Sequence, residues 1–285
     1  MRKLMFLLLL TACVTGIIVT EVHPSANLKF MFPDVGQGGA ALIQTPDGKT
    51  IIYDCGRSGS RIFDDLQAFG ITSIDLMIVS NPDADHMGGC VDILKTMPVK
   101  RLVDNGQTKD TQISQELRTL SKTVPYEAIT EDHDDQEFPW LQYLVAYDTW
   151  GKFDPLINEN SVGMKVTDGN VTVLYTGDCQ AKCEATLKDT ADINADVYYA
   201  GHHGSKTSST TYALEEITPS VVFIAVGKNS YGHPSPEALQ RISAYTDNIF
   251  STQEHGPMVM TTNGNAITVT DSHGLVLWTR EAAQE

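Results

Sequence analysis

From residue 28 onward, short apolar runs alternate with polar breaks that carry glycine, proline or asparagine. Leu28–Phe32, Ala40–Gln44 and Thr50–Tyr53 read as strands, and Pro46-Asp47-Gly48-Lys49 supplies the tight turn between the last two. Ile74–Val79 is an apolar run, broken only at Asp75, of the kind a buried strand leaves. Helical spacing follows at about 60–69, 88–97 and 111–122, and the stretch 124–150 is acidic and aromatic, with Glu131–Asp135 a solvated loop. The second half resumes with a hairpin, Val162–Val166 and Val171–Tyr175, around Asp168-Gly169-Asn170. A helix over 181–189, strands over 196–200 and 220–226, and a helix over Pro236–Tyr245 come next. Strands over 257–262 and 265–270 close the pattern around Asn263-Gly264, a strong hairpin signal. There is no repeat and no low-complexity linker, so residues 28–285 predict one layered α/β unit.

Residues 1–27 follow a different pattern. Arg2 and Lys3 precede Leu4-Met5-Phe6-Leu7-Leu8-Leu9-Leu10, the basic-then-apolar order of a signal peptide. Leu10-Thr11-Ala12-Cys13 also fits a lipoprotein signal, with Cys13 the lipidated residue. Because Val14–Val19 stays apolar, the run 4–20 is also readable as an uncleaved membrane anchor, slightly short of the roughly 20 residues a spanning helix needs. Each form implies export, either secreted or attached to the outer face of a membrane. Setting Cys13 aside leaves Cys55, Cys90, Cys179 and Cys183, an even number in an export context. Cys179 and Cys183 are close enough to pair if the chain turns; four free buried thiols fit equally, and an approach of Cys55 to Cys90 stays open.

Composition narrows the partners. With 285 residues, 41% hydrophobic content, a net charge of −16 and a pI of about 4.8, the chain is an acidic globular protein. That charge disfavours broad electrostatic capture of nucleic acid. It leaves room for a phosphate ester handled by a local metal ion, whose charge dominates its own pocket.

Four polar clusters each follow an apolar run: Asp34-Val35-Gly36-Gln37-Gly38, Asp83-Ala84-Asp85-His86, Thr176-Gly177-Asp178, and Gly201-His202-His203-Gly204-Ser205. Each is therefore expected at a strand's exit, where α/β sites are commonly built. Singly, each has a plainer reading: Asp85 or Asp178 as a helix cap, the histidines as a hydrogen-bonded loop pair. Their recurrence in the same place favours a shared site.

The segments FPDVGQGGAALIQTPDGKTIIYDCG, IVSNPDADHMGG, NENSVGMKV, LYTGDCQ, YYAGHHGSKTS and NSYGHPSPEAL carry a resemblance across nearly all of residues 28–270. The chain resembles the metallo-β-lactamase superfamily and, within it, the hydrolase domain of the competence protein ComEC. The resemblance implies an αββα sandwich of two mixed sheets and one or two divalent ions, Zn or Mn, with Mg also suited. The family's His-x-His-x-Asp-His slots fall on Asn81, Asp83, Asp85 and His86; later ligands map to Asp178 and to His202 or His203, with His203 preferred by motif position. The mid-chain histidine is replaced by Asn158, Glu159 and Asn160. One ion is thus expected on Asp85, His86, Asp178 and one histidine of the pair. A second would rest on Asp83 and neutral oxygens, which suit harder ions. Asp34, Asp54, Asn81, Asn158 and Asn160 are expected to support the ligands from behind. Gly36, Gly38 and Gly39 would bring backbone N–H groups to an anion; ComEC-like chains carry Asp where Gly39 stands. Lys206, Asn229, Tyr231 and His233 are expected to meet substrate, although 229–234 also reads as a plain turn.

The expected function is hydrolysis of a phosphodiester by metal-activated water, with Asp83, Asp85 and His233 taking part in the chemistry. The resemblance implies DNA; the charge favours a smaller phosphoester. Two other classes are a carbon-ester or lactam hydrolase and a non-catalytic metal- or ligand-binding module derived from a hydrolase. No protein partner is indicated.

Overall fold

The computed structural model describes residues 27–146 and 153–281. The leader, the apolar run 4–20 and Cys13 lie outside the described residues, and among the described residues no helix is long and apolar enough to cross a membrane.

The first six strands are β1 Lys29–Phe32, β2 Ala40–Gln44, β3 Thr50–Cys55, β4 Leu76–Val79, β5 Leu102–Asp104 and β6 Tyr126–Ala128. The chain then crosses to a second sheet: β7 His133–Asp134, β8 Leu141–Val145, β9 Val162–Asp168, β10 Val171–Tyr175, β11 Val197–Tyr199, β12 Val221–Ile224 and β13 Ile249–Ser251. It returns with β14 Met258–Thr262, β15 Ile267–Asp271 and β16 Val276–Arg280. The first sheet runs β16-β15-β14-β1-β2-β3-β4-β5-β6 and the second β13-β12-β11-β10-β9-β8-β7. Both are mixed: β3 to β6 are parallel, as are β10 to β13, and the remaining neighbours pair antiparallel.

Alternation along each strand builds the layers. Ile51 and Tyr53 of β3 and Leu76 and Ile78 of β4 pack between the sheets against Val173, Tyr175, Val197 and Phe223. Their neighbours Ile52, Met77 and Val79 turn outward onto α1 Ile62–Ala68, α2 Ala84–Thr96 and α3 Gln112–Leu120. Leu174, Tyr198 and Val222 likewise meet α4 Ala181–Thr190, α5 Thr211–Ile217 and α6 Pro236–Ile242. A short α7, Thr252–His255, follows β13. Two sheets between two helical layers make the αββα sandwich. Tyr53 Oη donates to Val162 O (2.6 Å) and Tyr199 Oη to Ala40 O (2.9 Å), joining the sheets through buried hydrogen bonds.

Two expectations need correction. The acidic run Glu131–Asp135 is not wholly a solvated loop, since His133–Asp134 form β7 and Asp135 is buried. Its carboxylate accepts from Arg101 Nη2 and Tyr143 Oη; burial alone would raise its pKa, and these donors hold it below the ordinary value. The helix expected over 88–97 also starts earlier, since α2 begins at Ala84 and takes in Asp85 and His86. It starts early because Gly88 and Gly89 let the helix lie on the β3 exit, where a Cβ would come within 2.3 Å of Ser58 N and 2.2 Å of Cys55 O.

Candidate metal centre

Parallel strands from both sheets end at one cleft. β3 ends beside Asp54, whose φ is +57°, a left-handed conformation that non-glycine residues seldom adopt. β4 leads through Ser80–Asp83 into the first turn of α2, which carries Asp85 and His86. β10 leads to Gly177-Asp178, and β11 to the turn Gly201–Gly204, where His202 and His203 have φ of +53° and +56°. Left-handed residues of this kind cost about 1–3 kcal/mol each and cluster where a side chain's direction matters.

The partners fix those directions. Asp54 accepts Ser80 N on Oδ1 and Ser80 Oγ on Oδ2, each at 2.8 Å, and His86 Nδ1 donates to the same Oδ2 at 2.8 Å. That leaves His86 Nε2 as the free nitrogen, 3.0 Å from Asp178 Oδ1 but not aligned with it as a hydrogen bond. His203 Nδ1 donates to Ala225 O at 2.9 Å; its Nε2 lies 3.6 Å from Asp178 Oδ1 and 3.8 Å from Asp85 Oδ2. His86 Nε2, His203 Nε2 and Asp178 Oδ1 are all buried and have no hydrogen-bond partner among the described residues. Each such orphan costs about 1–3 kcal/mol, so three converging ones call for a cation between them. Asp85, His86 and His203 each offer a ligand atom within 4.8 Å of the others. Imidazole nitrogen with carboxylate oxygen suits Zn or Mn.

The charges agree. Burial opposes charge on His86, but the Asp178 and Asp54 carboxylates outweigh it and raise its pKa well above the ordinary value. Burial likewise works against the Asp178 carboxylate, but His86 and then His203 hold its pKa well below the ordinary range. His203 is lowered, first by burial and then by His86 and His202, against the pull of Asp178 and Asp85. Carboxylates that favour an imidazolium also favour a divalent ion, which Nε2 of the neutral imidazole would hold.

The cleft, of about 300 Å³, is lined by Asp85, Asp178, His202 and His203 with Gln37, Arg57, Asp83, Lys109, Asn158, Tyr231 and His233. A larger cavity of about 680 Å³, between Phe153 and α4, includes neither Asp85, Asp178 nor any of the histidines.

Residues 33–142 match the profile of the metallo-beta-lactamase superfamily. Recombination protein 2 of Haemophilus influenzae is 32% identical over 78% of this chain and 27% of that protein. The chain belongs to the metallo-β-lactamase superfamily. ComE operon protein 3 of Bacillus subtilis is 26% identical over 86% of this chain and 34% of its own length. The chain thus spans about a quarter to a third of the curated relatives it matches, and their names agree with the ComEC-like resemblance. The solved structure of Igni18, a metallo hydrolase from Ignicoccus hospitalis, covers 81% of this chain and 98% of that one at 13% identity and a TM-score of 0.49.

Within this superfamily site, the structure gathers Asp85, His86, Asp178 and His203, and places His202 beside the other Asp178 oxygen, at 3.7 Å from Oδ2. The Asn158 amide lies between that oxygen (3.5 Å) and His202 Nε2 (3.2 Å). Asn81 is buried and turned inward: Nδ2 donates to Ser80 Oγ and Ser161 Oγ, and Oδ1 accepts Asp83 N. It holds Ser161, which in turn accepts Asp178 N, so its support is for the backbone around the ligands.

Five expectations are corrected. Lys206 is exposed and faces a separate groove with Gln180, Tyr212 and Arg241. Asn229 spends its amide inside its own loop, donating to Gly227 O and His233 O and accepting three backbone N–H groups, so it shapes the turn instead of meeting substrate. Asp34 accepts Gly36 N and orders the glycine turn, not a ligand. Asn160 ties its 3-10 turn to Asp154 and Gln107. Gly39 N–H is already given to Asp85 O at 3.0 Å, and Gly38 serves close packing, since a Cβ there would sit 2.6 Å from that oxygen.

Tyr231 and His233 do line the cleft; Tyr231 is 65% exposed, and His233 is pushed down to about 4 by burial and then by His202 and His203, so it is neutral at pH 7. Sequence reasoning missed the cleft's two cations. Arg57 Nη2 lies 3.5 Å from Asp85 Oδ2, and Lys109 Nζ lies 2.5 Å from Asp83 Oδ1. Both come from loops with no motif, and only their basic side chains in a strongly acidic chain could have drawn notice.

Both cysteine pairs are closed: Cys55–Cys90 and Cys179–Cys183 are disulfides. Each begins one residue after a site carboxylate, Asp54 or Asp178.

Proposed function

We propose that this chain is an exported, metal-dependent phosphodiesterase. The observation that carries the reading is the convergence of three buried, unpartnered ligand atoms on an open cleft whose rim holds Arg57 and Lys109. A divalent ion held by Asp85, His86, His203 and Asp178 would supply Lewis-acid activation of water. The chain's own residues do the rest. Arg57 and Lys109, which offset the Asp85 and Asp83 carboxylates at the rim, also donate to the non-bridging oxygens of a singly charged phosphodiester. Tyr231, largely exposed at the mouth, offers a ring face to the leaving group. Asp54 and the Ala225 carbonyl keep the two imidazoles turned inward.

Two cations on the rim suit one phosphodiester better than a long polyanion, since the net charge of −16 repels extended nucleic acid. The name of the Haemophilus influenzae relative, which speaks of recombination, keeps a nucleic-acid strand as the rival substrate of the same bond type. Export is supported by the basic-apolar start of the sequence and by the two disulfides, which persist in oxidising compartments.

The test is hydrolysis of bis(p-nitrophenyl) phosphate by the oxidised full chain, chelated and then reloaded with Mn²⁺, Zn²⁺ or Mg²⁺, with Asp178→Asn as control. A single-stranded oligonucleotide at physiological salt forms a second arm. Metal-restored turnover that Asp178→Asn abolishes is expected. A folded, metal-loaded protein that turns over neither substrate would replace the enzyme reading with that of a binding module.

A further inference from the structure

We propose that the Lys109 ammonium stands in for a second metal ion, so that the site takes one divalent ion and a fixed cation beside it. Asp83 occupies one of the family's ligand slots, yet Lys109 Nζ holds its Oδ1 at 2.5 Å. Asp83 is also the residue immediately before α2, a position from which a carboxylate commonly accepts the helix's free N–H groups. It makes no such cap, and its side chain is given to Lys109 instead. Lys109 itself is anchored through its backbone, N–H to Ser114 Oγ at 3.0 Å, at the start of α3.

The neighbouring amides are turned to other partners, so a second ion would depend chiefly on the Asp83 carboxylate. Asn81 Oδ1 accepts Asp83 N and its amide nitrogen faces two serines. The Asn158 amide is directed at His202 Nε2 and Asp178 Oδ2. Charge points the same way. Asp54, Asp83, Asp85 and Asp178 bring four negative charges to the centre, and one divalent ion with Arg57 and Lys109 brings four positive ones. A site balanced in this way admits a singly charged diester without the repulsion that bare carboxylates would impose. Lys109 then meets the phosphoryl oxygen that would otherwise lie on the second ion. That substrate role rests on the phosphodiester reading above; the metal count does not.

The experiment counts ions. The oxidised full chain, stripped and saturated with Mn²⁺, is assayed by elemental analysis and calorimetric titration, alongside Lys109→Gln, Lys109→Arg and the double change Asp83→Asn with Lys109→Gln. One ion per chain is expected for the unaltered protein and for Lys109→Arg. Lys109→Gln frees the Asp83 carboxylate and is expected to take up a second, weaker ion, which the double variant loses again. The Lys109 side chain is 40% exposed, so its replacement is compatible with the fold, and circular dichroism verifies this. Two ions of similar affinity on the unaltered protein, or a single ion on folded Lys109→Gln, overturns the proposal. Absence of phosphodiester turnover with a count of one would sink the substrate reading alone.

Discussion

Replacing Asp54 by Asn tests whether the support behind His86 sets the metal affinity. The carboxylate is 1% exposed and makes three contacts, to Ser80 N, Ser80 Oγ and His86 Nδ1, all at 2.8 Å. Asparagine preserves the shape, and its oxygen goes on accepting Ser80 N. Its NH₂ then falls where Oδ2 was and points an N–H at Nδ1. The ring answers by moving its proton to Nε2, which is the atom a metal needs free. Removing a carboxylate behind a ligating histidine costs 10–100-fold in metal affinity, and the tautomer change places Asp54→Asn at the upper end, about 2.8 kcal/mol. Competition between the protein and a chelator of known affinity measures this, with circular dichroism reporting the fold. A dissociation constant within about twofold of the unaltered protein's, in a folded variant, would refute the assignment of Nε2 as the ligating atom.

Asp65 on α1 is buried, and burial pushes its pKa up to about 6 from 3.8. The folded state therefore holds this proton more tightly than the unfolded chain, and stability is lost as pH rises from about 4 to 6, by up to ~3 kcal/mol. Asp65→Asn is expected to raise the melting temperature above pH 6 and to change little near pH 4; an equal gain at both would contradict this. Replacing Cys55 and Cys90 together by serine opens a closure of 35 residues and is expected to cost about 4 kcal/mol, read in urea unfolding. Gly39→Ala puts a methyl 3.1 Å from His86 Nδ1 and 3.3 Å from Asp54 Oδ2, so metal affinity is expected to fall with the fold intact.

How far the sequence carried depended on the range of the forces involved. β1 to β4, the β9–β10 and β14–β15 hairpins and α4 were legible because alternation and turn residues are local signals. β7, of only two residues, and the burial of Asp135 were not, because Arg101 and Tyr143 meet that carboxylate only after the chain has crossed between sheets. The same division runs through the site. Asp85, His86, Asp178 and His203 belong to motifs and were found together. Arg57 and Lys109 reach the cleft only through tertiary packing, while Lys206 follows a motif histidine in sequence but points away from it.

The two disulfides change which donors the chain offers a metal ion. Reduced, Cys55, Cys90, Cys179 and Cys183 would be the softest donors in the described structure, and two of them adjoin Asp54 and Asp178. Soft thiolates outcompete carboxylates for zinc and copper(I). Oxidation withdraws all four thiolates and leaves nitrogen and oxygen as the side-chain donors that line the cleft. The oxidised chain therefore offers an ion a different set of donors from the reduced one, with the cleft's imidazoles and carboxylates no longer competing with thiolates.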